Sequence, residues 1–259
     1  MVRPANVALV TVSLTVPLAG YIVLHNRRLE RRLPLVKKED LPKDVTRSFE
    51  VAGRPRLNYA EGWYADIPAK SFDKSFANKV EDYARVFWTT KPMMTEWRLM
   101  QLLDKIGAVP YEQRTNPETK SQPEFTKGKP LMNGLFAVEK GLEEKDPKEI
   151  MFSYWSKTND SPLLGGVHQL SCQKLDERTV RVWFINHLAL NSKTAELKGE
   201  DVPLNRWNNW FGYDPKIVDP ASASDEPIGG KVFSVALWFH RFYAKMLMDF
   251  AVREIMQRK

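Results

Sequence analysis

Cysteine is almost absent. With Cys172 as its only thiol in 259 residues, the chain can form no intrachain disulfide and no multi-thiolate metal site, and a reducing compartment suits it. Histidine is scarce as well. His25, His168, His187 and His240 lie far apart, and none stands in a His-x-x-x-His or Glu-x-x-His pair, so no metal is expected. Phosphate-binding loops are missing, because Leu164-Gly165-Gly166 and Ile228-Gly229-Gly230 are not followed by Lys-Ser or Lys-Thr. No serine occupies a Gly-x-Ser-x-Gly elbow, which argues against a hydrolase of that type. The net charge of +7 is not gathered into a run of five basic residues and no RNA-binding signature accompanies it, so nucleic acid is not an expected partner.

What is present begins with charge-free sequence. Residues 5–24 contain no charged side chain and include Val7, Leu9, Val10, Val12, Leu14, Val16, Leu18, Ile22, Val23 and Leu24. Twenty residues at a rise of about 1.5 Å each just cross a hydrocarbon core. Arg27, Arg28, Arg31 and Arg32 follow the segment and only Arg3 precedes it, which places the C-terminal bulk in the cytosol. A cleaved signal peptide fits less well, since Pro17-Leu18-Ala19 is a poor cleavage site, and a mitochondrial presequence would be less apolar with more early arginines. The expected layout is a single-pass anchor over residues 1–30, a basic linker lying along headgroups over 31–58, and one cavity domain over 59–259, on an internal membrane such as the endoplasmic reticulum.

That domain is organised around residues 229–259. Val232, Ala236, Phe239, Tyr243, Met246, Phe250 and Ile255 recur at helical spacing and predict one long amphipathic helix, with Arg241, Lys245, Asp249 and Arg253 on a wet face. Its stripe calls for a partner, and the simplest is a curved antiparallel sheet. Upstream, residues 59–67 alternate Tyr59, Glu61, Trp63, Ala65 and Ile67 against Ala60, Gly62, Tyr64 and Asp66, and read as a first strand ended by Pro68. Ser71 is expected to cap a helix running to about Trp88, with Phe72, Phe76, Val80, Tyr83 and Phe87 on one stripe. Pro92 ends it. A second helix over 93–106 puts Met93, Trp97, Met100 and Leu103 together, and Gly107 stops it.

Residues 108–130 hold four prolines and read as a surface loop. Strands follow at 131–139, 149–157, 166–174 and 178–190, the last two joined through Leu175-Asp176-Glu177. Alternation gives inward sets of Ile150, Phe152, Tyr154 and Ser156, of His168, Leu170 and Cys172, and of Val180, Val182, Phe184, Asn186 and Leu188. Arg181, Trp183, Ile185 and His187 then face outward. A long excursion over 191–228 carries Trp207, Trp210, Phe211 and Tyr213 within seven positions, a loop glued down by its rings, an aromatic lid over a pocket or a loop that dips into the membrane.

One strand, two helices, a run of antiparallel strands and a long C-terminal helix resemble the helix-grip superfamily of START lipid-transfer and polyketide-cyclase-like domains. Locally, Phe87-Trp88 through Pro92 to Leu103, Gly166-Val167-His168-Gln169-Leu170, and Lys231-Val232-Phe233 with Phe239-His240-Arg241 look like an uncharacterised branch of it. The resemblance implies an α+β fold whose sheet grips the long helix around a deep apolar cavity for lipids, aromatics or polyketides, and no cofactor.

Two function classes remain. One is a cofactor-independent cyclase or isomerase, of Diels-Alder type for example, acting on a terpenoid or polyketide of secondary metabolism; the other is a non-catalytic carrier of lipids or sterols. For the enzyme, His168, Asn186 and Tyr154 are the expected catalytic groups, hydrogen-bonding to a substrate carbonyl while shape does the rest. Trp88, Trp97, Phe152, Ser156, Phe184, Trp210, Tyr213, Phe239 and Tyr243 are expected to line the cavity. A flexible linker of 28 residues would reach only about 30 Å, which leans toward an enzyme that takes its substrate from its own membrane over a carrier that must reach a second one.

Overall fold

The computed structural model describes residues 24–37, 40–42, 51, 53–54, 57, 59–76, 78–105, 123–132, 134–143, 147–156, 163–190 and 231–258, with the side chains of the last helix described from His240 onward. The chain folds as α+β. Residues 24–32 are helical (α1), followed by β1 (Leu35–Lys37), β2 (Tyr59–Pro68), α2 (Lys79–Thr89), α3 (Lys91–Lys105), β3 (Pro130–Leu131), β4 (Phe136–Lys140), β5 (Glu149–Trp155), β6 (Leu163–Lys174), β7 (Thr179–Leu190) and α4 (Lys231–Gln257). The strands form one curved, open, antiparallel sheet in the order β1-β2-β7-β6-β5-β4-β3, so the strand that precedes the helices pairs with the last strand. Register irregularities at Val138/Lys140 and Leu163/Gly165 supply local bends.

The alternation read from the sequence gives the faces correctly. Trp63, Ile67, Ile150, Phe152, Leu170, Val182 and Phe184 project to one side and form the main core with Tyr83 and Phe87 of α2. Trp183, Ile185 and His187 are on the opposite side as expected, yet they are buried, and Leu41 and Ala60 pack with Trp183 and Ile185 in a second small cluster. Turn residues 175–178 join β6 to β7, with Leu175 N–H donating to the Thr179 carbonyl at 3.1 Å and Arg178 N–H to Asp176 Oδ1 at 2.7 Å.

The helix starts differ from expectation. Ser71 closes a 3-10 turn (Ala69–Ser71), and α2 begins only after Asn78, whose side chain accepts the Glu81 N–H at 2.7 Å. An asparagine oxygen at that spacing caps orphan N–H groups as well as a serine would. Pro92 does separate the helices, but from within the first turn of α3, where its missing N–H costs nothing.

A larger correction concerns α4. Its packed face is Ala244, Leu247, Met248, Ala251, Val252 and Ile255, whereas Phe250 is 40% exposed and Tyr243 and Met246 are half-buried. The side chains of Val232, Ala236 and Phe239 lie outside the described residues. Nor is the polar side wet. Lys245 Nζ donates to Asn26 Oδ1 at 2.6 Å and Glu30 Oε1 at 3.1 Å, and Asp249 pairs with both Arg32 and Arg253. These partners belong to α1, apart from Arg253 on α4 itself, and α1 also buries Leu29.

The part of the chain expected to be anchor end and linker therefore contributes a docked helix and an edge strand. β1 pairs with β2 from Leu35↔Trp63 to Lys37↔Glu61. No helix among the described residues is long and apolar enough to cross a membrane, and residues 5–23 lie outside them. The predicted helix end at 106 with Gly107, residues 108–122 of the predicted loop, and the aromatic excursion at 191–228 with Trp210 and Tyr213, also lie outside the described residues.

Candidate functional site

Strand register lays a continuous line of side chains across the face under α4. Glu61 of β2 is opposite Asn186 of β7, Asn186 opposite His168 of β6, His168 opposite Phe152 of β5, and Phe152 opposite Val138 of β4. Directly opposed residues in antiparallel strands share a face. A neighbouring line, Tyr59, Leu188, Gly166 and Tyr154, runs beside it. Gly166 matters here. A Cβ at this position would come within 2.6 Å of the His187 carbonyl oxygen and 3.2 Å of the Tyr154 hydroxyl, so only glycine lets the strands and that phenol approach.

His168 is the centre of the arrangement. Its ring stacks between Phe152 (5.5 Å, 7°) and Phe184 (5.4 Å, 10°), with Tyr154 at 5.1 Å and Phe136 edge-on at 5.8 Å. Burial pushes its pKa from the ordinary 6.5 down to about 3, the nearby His240 and His187 push the same way, and Asn186 opposes them. Imidazole here is neutral at physiological pH. His240 of α4 is 6.2 Å from His168, ring to ring, and its pKa is also lowered, first by burial, with Glu61 opposing and Arg241 reinforcing. Asn186 Nδ2 donates to His240 Nε2 at 2.8 Å, which leaves the His240 proton on Nδ1. Both histidines keep some accessible surface although protein encloses them closely.

A second cluster abuts this one. Arg241 donates from Nε to Glu61 Oε2 at 2.7 Å and from Nη2 to the Tyr59 hydroxyl at 2.7 Å, and that hydroxyl donates to the same Glu61 oxygen at 2.8 Å. Burial opposes the guanidinium's charge, but Glu61 and Tyr59 outweigh it and raise its pKa. Burial and the Glu61 carboxylate hold the Tyr59 phenol above its usual range. Two atoms are left over: Glu61 Oε1 and Asn186 Oδ1 are buried without a hydrogen-bond partner.

Of the expected catalytic residues, His168, Asn186 and Tyr154 are thus brought together. Phe152 and Phe184 form the walls around His168, and Trp88 packs on Phe152 at 4.8 Å and Phe136 at 5.5 Å. Tyr243 is engaged elsewhere, donating its hydroxyl to Glu96 of α3, whose carboxyl is raised by burial. Trp97 is half-buried on α3, and Ser156 is half-buried one residue past the end of β5. Glu61, Tyr59, His240 and Arg241 were missed. Glu61 and Tyr59 did stand in an alternating set with Trp63 and Ile67, and an acid in such a set was the available signal; Arg241 had been assigned to a wet face. Cys172, its thiol raised by burial, is no nucleophile. Comparison with protein-family models, curated proteins and solved structures finds no match for this chain.

Proposed function

We propose that the sheet face under α4 encloses a recess that binds a lipophilic molecule, and that the protein acts on it as a cofactor-independent cyclase or isomerase of terpenoid or polyketide chemistry. The observation that carries this reading is the polar line Glu61, Asn186 and His168 set among aromatic rings, with two buried acceptors unsatisfied. Each such acceptor costs about 1 to 3 kcal/mol if nothing meets it, and a polar group bound on this face would meet both. A neutral imidazole flanked by phenyl rings can donate to a carbonyl that gains electron density without first losing a proton, and the Tyr154 hydroxyl nearby is a second donor. The strand order, with β2 before the helices paired to the last strand and a long helix across the sheet, favours the helix-grip assignment.

Purified full-length protein in detergent should convert a linear precursor without added metal or nucleotide. His168→Ala should then lower the rate about 100-fold, the size found for losing one aligned donor, with smaller losses for Asn186→Ala and Tyr154→Phe. Stoichiometric binding with no turnover would leave the lipid carrier instead, and turnover surviving all three changes would remove these residues from the mechanism.

We further propose that residues 5–24 anchor the protein, its folded body on the cytosolic side of an internal membrane such as the endoplasmic reticulum. Docking of α1 onto α4 supports loading from that same membrane, because no slack chain separates residue 24 from the body. Carbonate washing should leave the full-length chain in the membrane fraction, while removal of residues 1–22 should release it; extraction of the intact chain would overturn the anchor. Truncation through residue 30 would be uninformative, since it strips Asn26, Leu29 and Glu30 from the fold.

A further inference from the structure

We infer that Glu61, through its free Oε1, together with Asn186 opposite it, receives a hydroxyl group of the bound molecule. The inference rests on the proposed ligand recess and specifies one end of what fills it. Glu61 is 1% exposed and Asn186 is fully buried, yet Glu61 Oε1 and Asn186 Oδ1 each lack a partner.

The missing complement is a donor, and the donors bonded within the cluster serve other atoms. Arg241 Nε and the Tyr59 hydroxyl both serve Glu61 Oε2, Arg241 Nη2 serves Tyr59, and Asn186 Nδ2 serves His240. Strand register holds Glu61 and Asn186 directly opposite each other on β2 and β7, and each side chain is kept in place by the bonds of its other polar atom. A carbonyl or ether placed there would set lone pairs against lone pairs. An ammonium group is disfavoured for a different reason: Arg241 already balances the Glu61 charge, and a second cation would be buried unpaired. A neutral hydroxyl supplies the donor without adding charge. Beside it the surroundings turn apolar, since the next opposed pair on the same face is Trp63 and Phe184. The ligand is therefore a lipophilic alcohol or enol, its hydroxyl at Glu61 and its hydrocarbon body over the aromatic walls.

The test uses full-length protein in detergent micelles and three rigid bicyclic probes of nearly equal size: trans-2-decalol, its methyl ether and trans-2-decalone. Each displaces an apolar fluorescent dye, with protein-free micelles as the reference for partitioning. Decalol should bind at least about tenfold more tightly than the ether or the ketone, since hydrogen bonds to a charged acceptor are the stronger kind. Glu61→Gln keeps an oxygen for Arg241 and turns an amide N–H toward the recess, so it should reverse the order and favour decalone over decalol. Equal binding of all three probes to the native protein overturns the hydroxyl site, leaving a recess whose acceptors are met by water alone. Failure of every probe to bind overturns the recess as well. Should Glu61→Gln not fold, the native ordering still decides.

Discussion

Replacing Arg241 with methionine should lower the unfolding free energy by about 3 to 5 kcal/mol, the cost of leaving a buried carboxylate without its counter-charge. Glu61 is 1% exposed, and Arg241 is the cation that reaches it, at 2.7 Å. Methionine keeps most of the apolar stem, so the loss reports the charge rather than a cavity. For a folded body of roughly 200 residues the midpoint of thermal unfolding should fall by about 6 to 20 °C. Adding Glu61→Gln to the Arg241→Met chain should recover most of that loss, because a neutral amide leaves no stranded charge. A double-mutant cycle measures the coupling directly. If the two single losses simply add, Glu61 and Arg241 act independently and the pair does not hold α4 to β2.

Acidification should weaken the fold through His168. With its pKa at about 3 in the folded protein and near 6.5 unfolded, the unfolded chain binds one more proton throughout that window. Stability then falls by about 1.4 kcal/mol for each pH unit lost between 6.5 and 3, and the whole contribution is present above 6.5. Over the full window the loss reaches about 4 to 5 kcal/mol from this one ring. His240, lowered for the same first reason of burial, adds in the same direction. Urea midpoints measured from pH 7 to 4 in native protein and in His168→Gln should differ in slope by about one proton. An unchanged slope would mean that water reaches the imidazole freely and that the ring is not enclosed between Phe152 and Phe184.

Much of the site was legible because the sheet has a period of two. Once the strand carrying Val180, Val182, Phe184, Asn186 and Leu188 was assigned its inward set, Asn186 had to share a face with Phe184, and the same rule put His168 with Leu170 and Tyr154 with Phe152. Hairpin sequence between β6 and β7 then fixed their register closely enough to bring His168 opposite Asn186. No comparable rule links β2 to α4. Glu61 and Arg241 are separated by 180 positions, and only their meeting turns an inward acid from an improbable core residue into a compensated one.

Local sequence by itself determined the strand faces, the break at Pro92 and the existence of the long helix, because each depends on periodicity or on a backbone group that proline lacks. It could not determine how that helix is turned. A stripe chosen for hydrophobicity alone selects Phe250 and Met246, but α4 is packed on two sides, with Ala244, Leu247, Met248 and Ala251 against the core and Lys245 and Asp249 beneath α1. Burial of that lysine and aspartate is tolerable only because Asn26, Glu30 and Arg32 arrive from the far end of the chain to pair with them. Compensation of buried charge is a property of what meets in space, and so the tertiary structure decided the rotation of α4, the docking of α1 and the composition of the polar line beneath them.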